Sequence, residues 1–230
     1  MKIGIIGAMD EEIELYKEGM ELTRETHKAG IAYYEGKWEG KEVVLCKCGV
    51  GKVNASVCTQ ILIDTYEAEA VIFTGVAGAL HPELEIGDIV VSSDCQHHDM
   101  DVTALGFARG QIPFADVSVF EADGKLVEAA VKASKKVTEG RTIIGRILSG
   151  DQFIASRETV RELYETMNGV CTEMEGAAVA QVCAMNGVPF VVIRSMSDKA
   201  DGSAHVNFPE FTKLASKRSY EIVKNMLEHL

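Results

Sequence analysis

Short apolar runs alternate along this chain with segments whose apolar residues recur every three or four positions, the pattern of a layered α/β domain. Residues 2–8 read as a buried strand, followed by a helix over 10–17 with Met9, Ile13 and Tyr16 on its inner side. A strand pair over 31–39 and 42–47 turns at Glu39-Gly40, then leads through Cys48-Gly49-Val50-Gly51-Lys52 into a helix over 53–65. Residues 70–74 form the next buried strand, ending in Gly75-Val76-Ala77-Gly78, and 88–94 a further one. From Cys95 to Ser118 the composition turns polar and irregular, which is long for a passive connection. Beyond it the pattern predicts a helix over 126–135 and a strand over 141–149 that closes on Gly150-Asp151-Gln152-Phe153. Helices over 158–165 and 175–185, a buried strand over 188–195 and an amphipathic helix over 208–228 complete the chain. No repeat, low-complexity tract or Pro/Gly-rich linker interrupts this order, so residues 1–230 are expected to form a single domain.

Composition narrows the functional classes. The 230 residues suffice for one well-buried domain, and 47% apolar content is that of a globular chain. A net charge of −12 argues against nucleic acid or an anionic membrane as partner, since both attract basic patches. No apolar run approaches the roughly twenty residues of a membrane span. The first strand begins at Lys2, without the anatomy of a secretion signal. Cys46, Cys48, Cys58, Cys95, Cys171 and Cys183 lie mostly in apolar segments and lack zinc-site spacing. They read as reduced core thiols, and the protein as cytoplasmic.

Several local motifs are weak on their own. Gly49-Val-Gly-Lys is not a phosphate loop, which needs a longer glycine spacing and Ser or Thr where Val53 stands. Gly75-Val-Ala-Gly marks either a tight turn or a place where backbone approaches a ligand or neighbouring element closely. His97-His98-Asp99 and Asp101 do not make a metal site, because adjacent residues of an extended chain point to opposite faces. A polar loop near the site or at a subunit contact is the preferred reading. No Gly-x-Ser-x-Gly elbow supports serine hydrolysis.

Acids remain. Glu173-Met174-Glu175-Gly176 precedes a buried helix, and Ser197-Asp198 follows a buried strand. An ionised carboxylate away from water must be paired or hydrogen-bonded, and strand ends in α/β proteins are where ligands bind. Acids converging there point to chemistry in which positive charge develops. Glu12, beside Asp10 and Glu11, looks from its local context most like a surface residue.

These residues resemble the nucleoside phosphorylase superfamily, and most closely its 5′-methylthioadenosine/S-adenosylhomocysteine nucleosidases. The resemblance runs over essentially the whole chain: Ile5-Ile-Gly-Ala-Met-Asp-Glu-Glu, Gly49-Val-Gly-Lys-Val-Asn-Ala, Thr74-Gly-Val-Ala-Gly, Gly87-Asp-Ile-Val-Val-Ser, His98-Asp-Met-Asp-Val-Thr-Ala, Ser149-Gly-Asp-Gln-Phe-Ile, Glu173-Met-Glu-Gly-Ala-Ala and Arg194-Ser-Met-Ser-Asp. It implies a three-layer α/β/α fold with a central mixed β-sheet, no metal or other cofactor, and a homodimer in which a partner loop helps close each site. It also implies hydrolysis of the adenine N-glycosidic bond of thioether nucleosides. Asp198 would protonate or hydrogen-bond adenine N7, Glu12 would deprotonate the attacking water, and Glu175 would accept from the ribose hydroxyls. Met174 would pack beneath the sugar, with Glu173, Gly78 and Ser197 nearby. Phe153 would stack on adenine and the Ile154 backbone would read its edge. Val50, Leu105, Pro113 and Phe208 would line the alkylthio pocket, Leu105 and Pro113 coming from the partner loop.

Two positions depart from the family pattern. Val76 stands where these nucleosidases often have Ser, and Arg194 and Glu12 are expected to take over its hydrogen bonding to water or sugar. Leu105 stands where an aromatic is common. The arginine and serine positions that hold phosphate in the phosphorylases correspond here to Phe73, Val76 and Met9, which predicts hydrolysis over phosphorolysis. A non-catalytic nucleoside-binding relative, and a hydrolase of another adenosyl compound such as aminodeoxyfutalosine, are the alternatives.

Overall fold

The computed structural model describes residues 1–200 and 211–230 in full, and residues 204–210 only as part of the last helix. In chain order the elements are β1 (Lys2–Gly7), α1 (Asp10–Gly19), β2 (Glu21–Lys28), β3 (Ile31–Trp38), β4 (Lys41–Lys47), α2 (Lys52–Asp64), β5 (Ala70–Ala79) and β6 (Ile89–His97). After a short turn of 3-10 helix at Thr103–Leu105 come β7 (Val119–Glu121), α3 (Gly124–Val137), β8 (Thr142–Ser149), α4 (Arg157–Met167), β9 (Gly169–Glu173), α5 (Gly176–Asn186), β10 (Phe190–Asp198) and α6 (Ala204–Leu227).

The strands form one mixed sheet of ten, ordered β10-β6-β8-β9-β5-β1-β4-β3-β2, with β7 beside β6. Central β5 is buried along its whole length and runs parallel to β1 on one side and β10 on the other. It also pairs antiparallel with β9 through Gly78 and Ala79, so half of the sheet curls back on itself. This curl brings the ends of β5, β9 and β10 together, where the acids lie.

Period-two alternation explains the layers. Ile3 and Ile5 of β1, Ile72 of β5 and Val191 and Ile193 of β10 pack with Ile13 and Tyr16 of α1, Ala130 of α3 and Ile222 and Val223 of α6. The alternate residues Ile6, Val71, Phe73, Phe190 and Val192 pack with Ala55, Cys58 and Leu62 of α2 and Val179 and Cys183 of α5. Burying each such aliphatic side chain stabilises the fold by about 1.5–3 kcal/mol. The outcome is the three-layer α/β/α architecture expected of the sequence. Helix α5 is apolar apart from Gln181 and Asn186, and its Gly176, Ala177, Ala178 and Ala180 are small enough for its backbone to lie close to the sheet.

Three strands escaped the sequence pattern. β2 is exposed at almost every position, so no apolar alternation marks it; β7 and β9 are three and five residues long. β5 continues past residue 74 through the glycine turn to Ala79, and β6 carries Cys95, Gln96 and His97, which the sequence placed in an irregular segment. No helix among the described residues is long and apolar enough to cross a membrane. All six cysteines are free and buried.

Candidate active site

A cavity of about 260 Å³ opens at the carboxyl ends of the central strands. Its described lining comes from Ala8, Met9 and Glu12 after β1, Val50 after β4, and Val76, Ala77 and Gly78 at the end of β5. The segment after β8 adds Gln152, Phe153 and Ile154, the β9–α5 junction adds Thr172 to Glu175, and β10 adds Ser197 and Asp198, with Ala200 beyond. Strand ends are where an open α/β sheet leaves a crevice for a ligand.

Glu12 is not a surface residue. It is 5% exposed, because its side chain folds back from the first turn of α1 toward the sheet. Oε2 accepts from the N–H groups of Ala8 (2.6 Å) and Met9 (3.0 Å), and Oε1 from Val76 (3.0 Å). Burial raises its pKa above the ordinary glutamate value, and the Arg194 charge and the three N–H donors pull it down only in part. The sequence held a signal for this: a glutamate three residues into a helix can reach back to the backbone at its start.

Asp198 is buried at the end of β10, its Oδ2 2.8 Å from Ser197 Oγ and its Oδ1 accepting from Ala200 N–H at 2.7 Å. Glu175, the N-cap of α5, accepts from Gly51 N–H at 2.7 Å. Burial pushes its pKa up to about 8; the neighbouring Glu173 charge adds to this, and Gly51 N–H and Arg194 oppose it.

The glycines of the Gly75–Gly78 turn each leave room for one acid. A Cβ on Gly75 would collide with the Glu12 carboxylate, and one on Gly78 would stand 2.9 Å from Asp198 Oδ1. The motif is therefore a place of close approach.

Glu173 and Arg194 form the brace behind these groups. Arg194 is 1% exposed. Its guanidinium lies 3.9 Å over the Phe73 ring and donates to Glu173 Oε2 at 2.6 Å. Glu173 also accepts from Ser149 Oγ and from the Gly176 N–H (2.8 Å). Arg194 is not among the described lining residues, though its Nη1 and the Glu12 carboxylate converge on Gly75. One expectation is corrected here. Phe73 is fully buried in the sheet under Arg194, rather than facing the ligand, while Val76 and Met9 do line the cavity.

Toward the rim, Val50 and Phe153 are 52% and 53% exposed, with Met174 and Ile154 half-buried between rim and floor. Leu105 is 73% exposed and Pro113 half-buried; neither lines this cavity within the single chain. Phe208 lies outside the described residues. The sequence reading did not single out Ala8, Gln152, Thr172 or the donor Gly51. His97 Nε2 is 2.9 Å from Gln181 Oε1, while Asp99 receives Lys52 Nζ at 2.7 Å and Asp151 N–H at 2.9 Å. Asp99 thus ties the segment bearing Val50 and Gly51 to the one bearing Phe153.

Comparison with known proteins agrees with this geometry. The sequence profile of the Phosphorylase superfamily matches residues 2–228. The 5′-methylthioadenosine/S-adenosylhomocysteine nucleosidase of Shewanella pealeana is 46% identical over 233 residues, covering 100% of both chains. Among solved structures, the nucleosidase of the same name from Neisseria meningitidis, in complex with methylthio-immucillin-A, superposes with a TM-score of 0.95 at 42% identity, covering 100% of this chain and 99% of that one. The futalosine hydrolase of Helicobacter pylori superposes with a TM-score of 0.94 at 34% identity, covering 100% and 98%. Full-length identity at this level, with the fold and strand-end cavity to match, places this chain in the phosphorylase superfamily, among the 5′-methylthioadenosine/S-adenosylhomocysteine nucleosidases.

Proposed function

We propose that this chain hydrolyses the N-glycosidic bond of 5′-methylthioadenosine and S-adenosylhomocysteine, with 5′-deoxyadenosine as a further substrate. The observation that carries this reading is the gathering of Glu12, Glu175 and Asp198 on one cavity, each buried and each accepting a backbone N–H. Breaking the bond between C1′ and N9 leaves positive charge on the sugar and negative charge on adenine. Carboxylates around the first and a proton donor at the second meet both demands.

In this mechanism Asp198 delivers a proton to adenine N7, Glu12 takes a proton from the water that adds to C1′, and Glu175 accepts from the ribose hydroxyls above Met174. The products are adenine and the thioribose. Phe153 stacks on adenine, and the Ile154 backbone reads the base edge. The 5′ group extends past Val50 to the rim, which in a homodimer the loop around Leu105 and Pro113 of a second copy would close. Phe208 is proposed for the same wall from its sequence position. Six buried thiols fit a cytoplasmic setting.

Hydrolysis is favoured over phosphorolysis because no Lys or Arg appears among the described lining residues. Arg194, the nearby cation, is already paired with Glu173, and a phosphate dianion beside Glu12 would meet like charge. The futalosine hydrolase likeness supports a second reading, in which the open rim accepts another adenosyl compound. Asp198→Asn tests the reading: adenine release should collapse while nucleoside affinity survives in part, and unchanged turnover would remove Asp198 from its role.

A further inference from the structure

Where β6 and β8 part, the two chain segments keep one more contact. Their last paired residues are His97 and Ser149, and His98 N–H still donates to Ser149 O at 2.9 Å, which sets Asp99 beside the segment that follows β8. The Asp99 carboxylate takes a donor on each oxygen, Lys52 Nζ at 2.7 Å on Oδ1 and Asp151 N–H at 2.9 Å on Oδ2. Asp151 closes the ring, its Oδ1 accepting from Lys52 N–H at 2.8 Å. The ring fixes Gly51 as well. Its φ of +97° is one that side chains rarely adopt, and a Cβ there would stand 3.1 Å from Asp151 Oδ1. In that pose Gly51 N–H reaches Glu175 Oε1 at 2.7 Å. The Lys52 and Asp99 side chains are 22% and 16% exposed, so water and salt screen the pair only in part. Burial works against the Asp99 charge, but Lys52 and the Asp151 N–H outweigh it and hold its pKa below the ordinary aspartate value.

We propose that Asp99 is a positioning residue: with Lys52 and Asp151 it clamps the sugar-side wall, Val50 and Gly51, at a fixed distance from the base-side wall, Phe153 and Ile154. The proposal deepens the hydrolase reading and rests on it. None of the three clamp residues is among the described lining of the cavity, so each acts through the backbone it holds. Val50 lies two positions before Lys52, and Phe153 two positions after Asp151. In the proposed pose a nucleoside spans both walls, with its base on Phe153 and its sugar on Glu175. Free adenine touches the base side alone. The clamp is therefore felt by ligands that bridge the gap.

The test compares Asp99→Ala, Lys52→Met and the double variant with wild type, by adenine release from 5′-methylthioadenosine and by inhibition with free adenine. Asp99→Ala should raise KM about tenfold, with kcat and the adenine inhibition constant each within about threefold of wild type, because a displaced wall weakens substrate and transition state alike. Lys52→Met should show part of the KM effect. The double variant should lose no more than Asp99→Ala alone, since members of one network do not act additively. A structural defect would instead lower the active fraction, and so kcat, at unchanged KM. An unchanged KM, an equal loss for adenine and nucleoside, or losses that multiply in the double variant would overturn the proposal. If Asp99→Ala does not fold, Lys52→Met decides, because it keeps the apolar stem and removes only the charge. It must then raise KM without an equal loss for adenine. A wild type that releases no adenine would overturn the hydrolase reading instead.

Discussion

At the floor of the cavity Glu12, Glu173, Glu175 and Asp198 are each less than a tenth exposed, and each accepts at least one backbone N–H. At the rim Val50 and Phe153 are half exposed, and the loop that leaves β6 beyond Asp99 carries Leu105 and Phe114 at 73% and 96% exposure. The floor is finished by the fold of a single chain: donors, glycine clearances and the Arg194 brace are in place before any ligand arrives. The rim is apolar surface still open to water, completed only by what covers it. Electrostatic preorganisation belongs where reorganisation would be costly, and adaptable apolar contact where the substrate varies.

Breaking the floor should therefore be far more damaging than breaking the rim. Glu12→Gln removes the base and is expected to lower kcat by about 10²–10⁴, with nucleoside binding retained; initial rates and equilibrium titration of the variant check both. Gly75→Ala attacks the same group by sterics alone. Its Cβ drives into the Glu12 carboxylate, so both stability and turnover should fall, stability by about 1–3 kcal/mol of overpacking in denaturant unfolding.

The acid Glu175 sharpens the comparison through pH. Its folded pKa, about 8, lies above the ordinary glutamate value, so the folded protein keeps a proton that the unfolded chain loses. Its contribution is fully present below the unfolded value and is lost as pH rises through the folded one. Glu175→Gln should consequently show a weaker decline of stability between pH 5 and 9 than wild type, read by urea unfolding at each pH; parallel curves would contradict it. At the rim, Phe153→Ala should raise KM roughly 3–10-fold, the scale of a lost aromatic contact, with kcat nearly kept. A comparable loss of kcat would mean that Phe153 belongs to the floor.

Much of this was legible in the residues, and the exceptions have physical causes. Fully buried strands such as β1 and β5 announce themselves as apolar runs, whereas β2 lies exposed at the sheet edge and carries no alternation. The acids at residues 173–175 and 198 stood out because carboxylates seldom adjoin buried segments. Glu12 did not, since its burial depends on a backward reach to Ala8 and Met9 and on Val76 sixty-four positions away. The pairing of Arg194 was hidden for the same reason: a strand residue's face is readable, but its partner Glu173 comes from another strand. The resemblance supplied roles; tertiary structure supplied the neutralised cation.

The central claim is tested most directly by initial rates of adenine release from 5′-methylthioadenosine with and without inorganic phosphate. The cavity described here predicts equal rates and free thioribose as the second product. A rate that requires phosphate, with a sugar 1-phosphate as product, would contradict it.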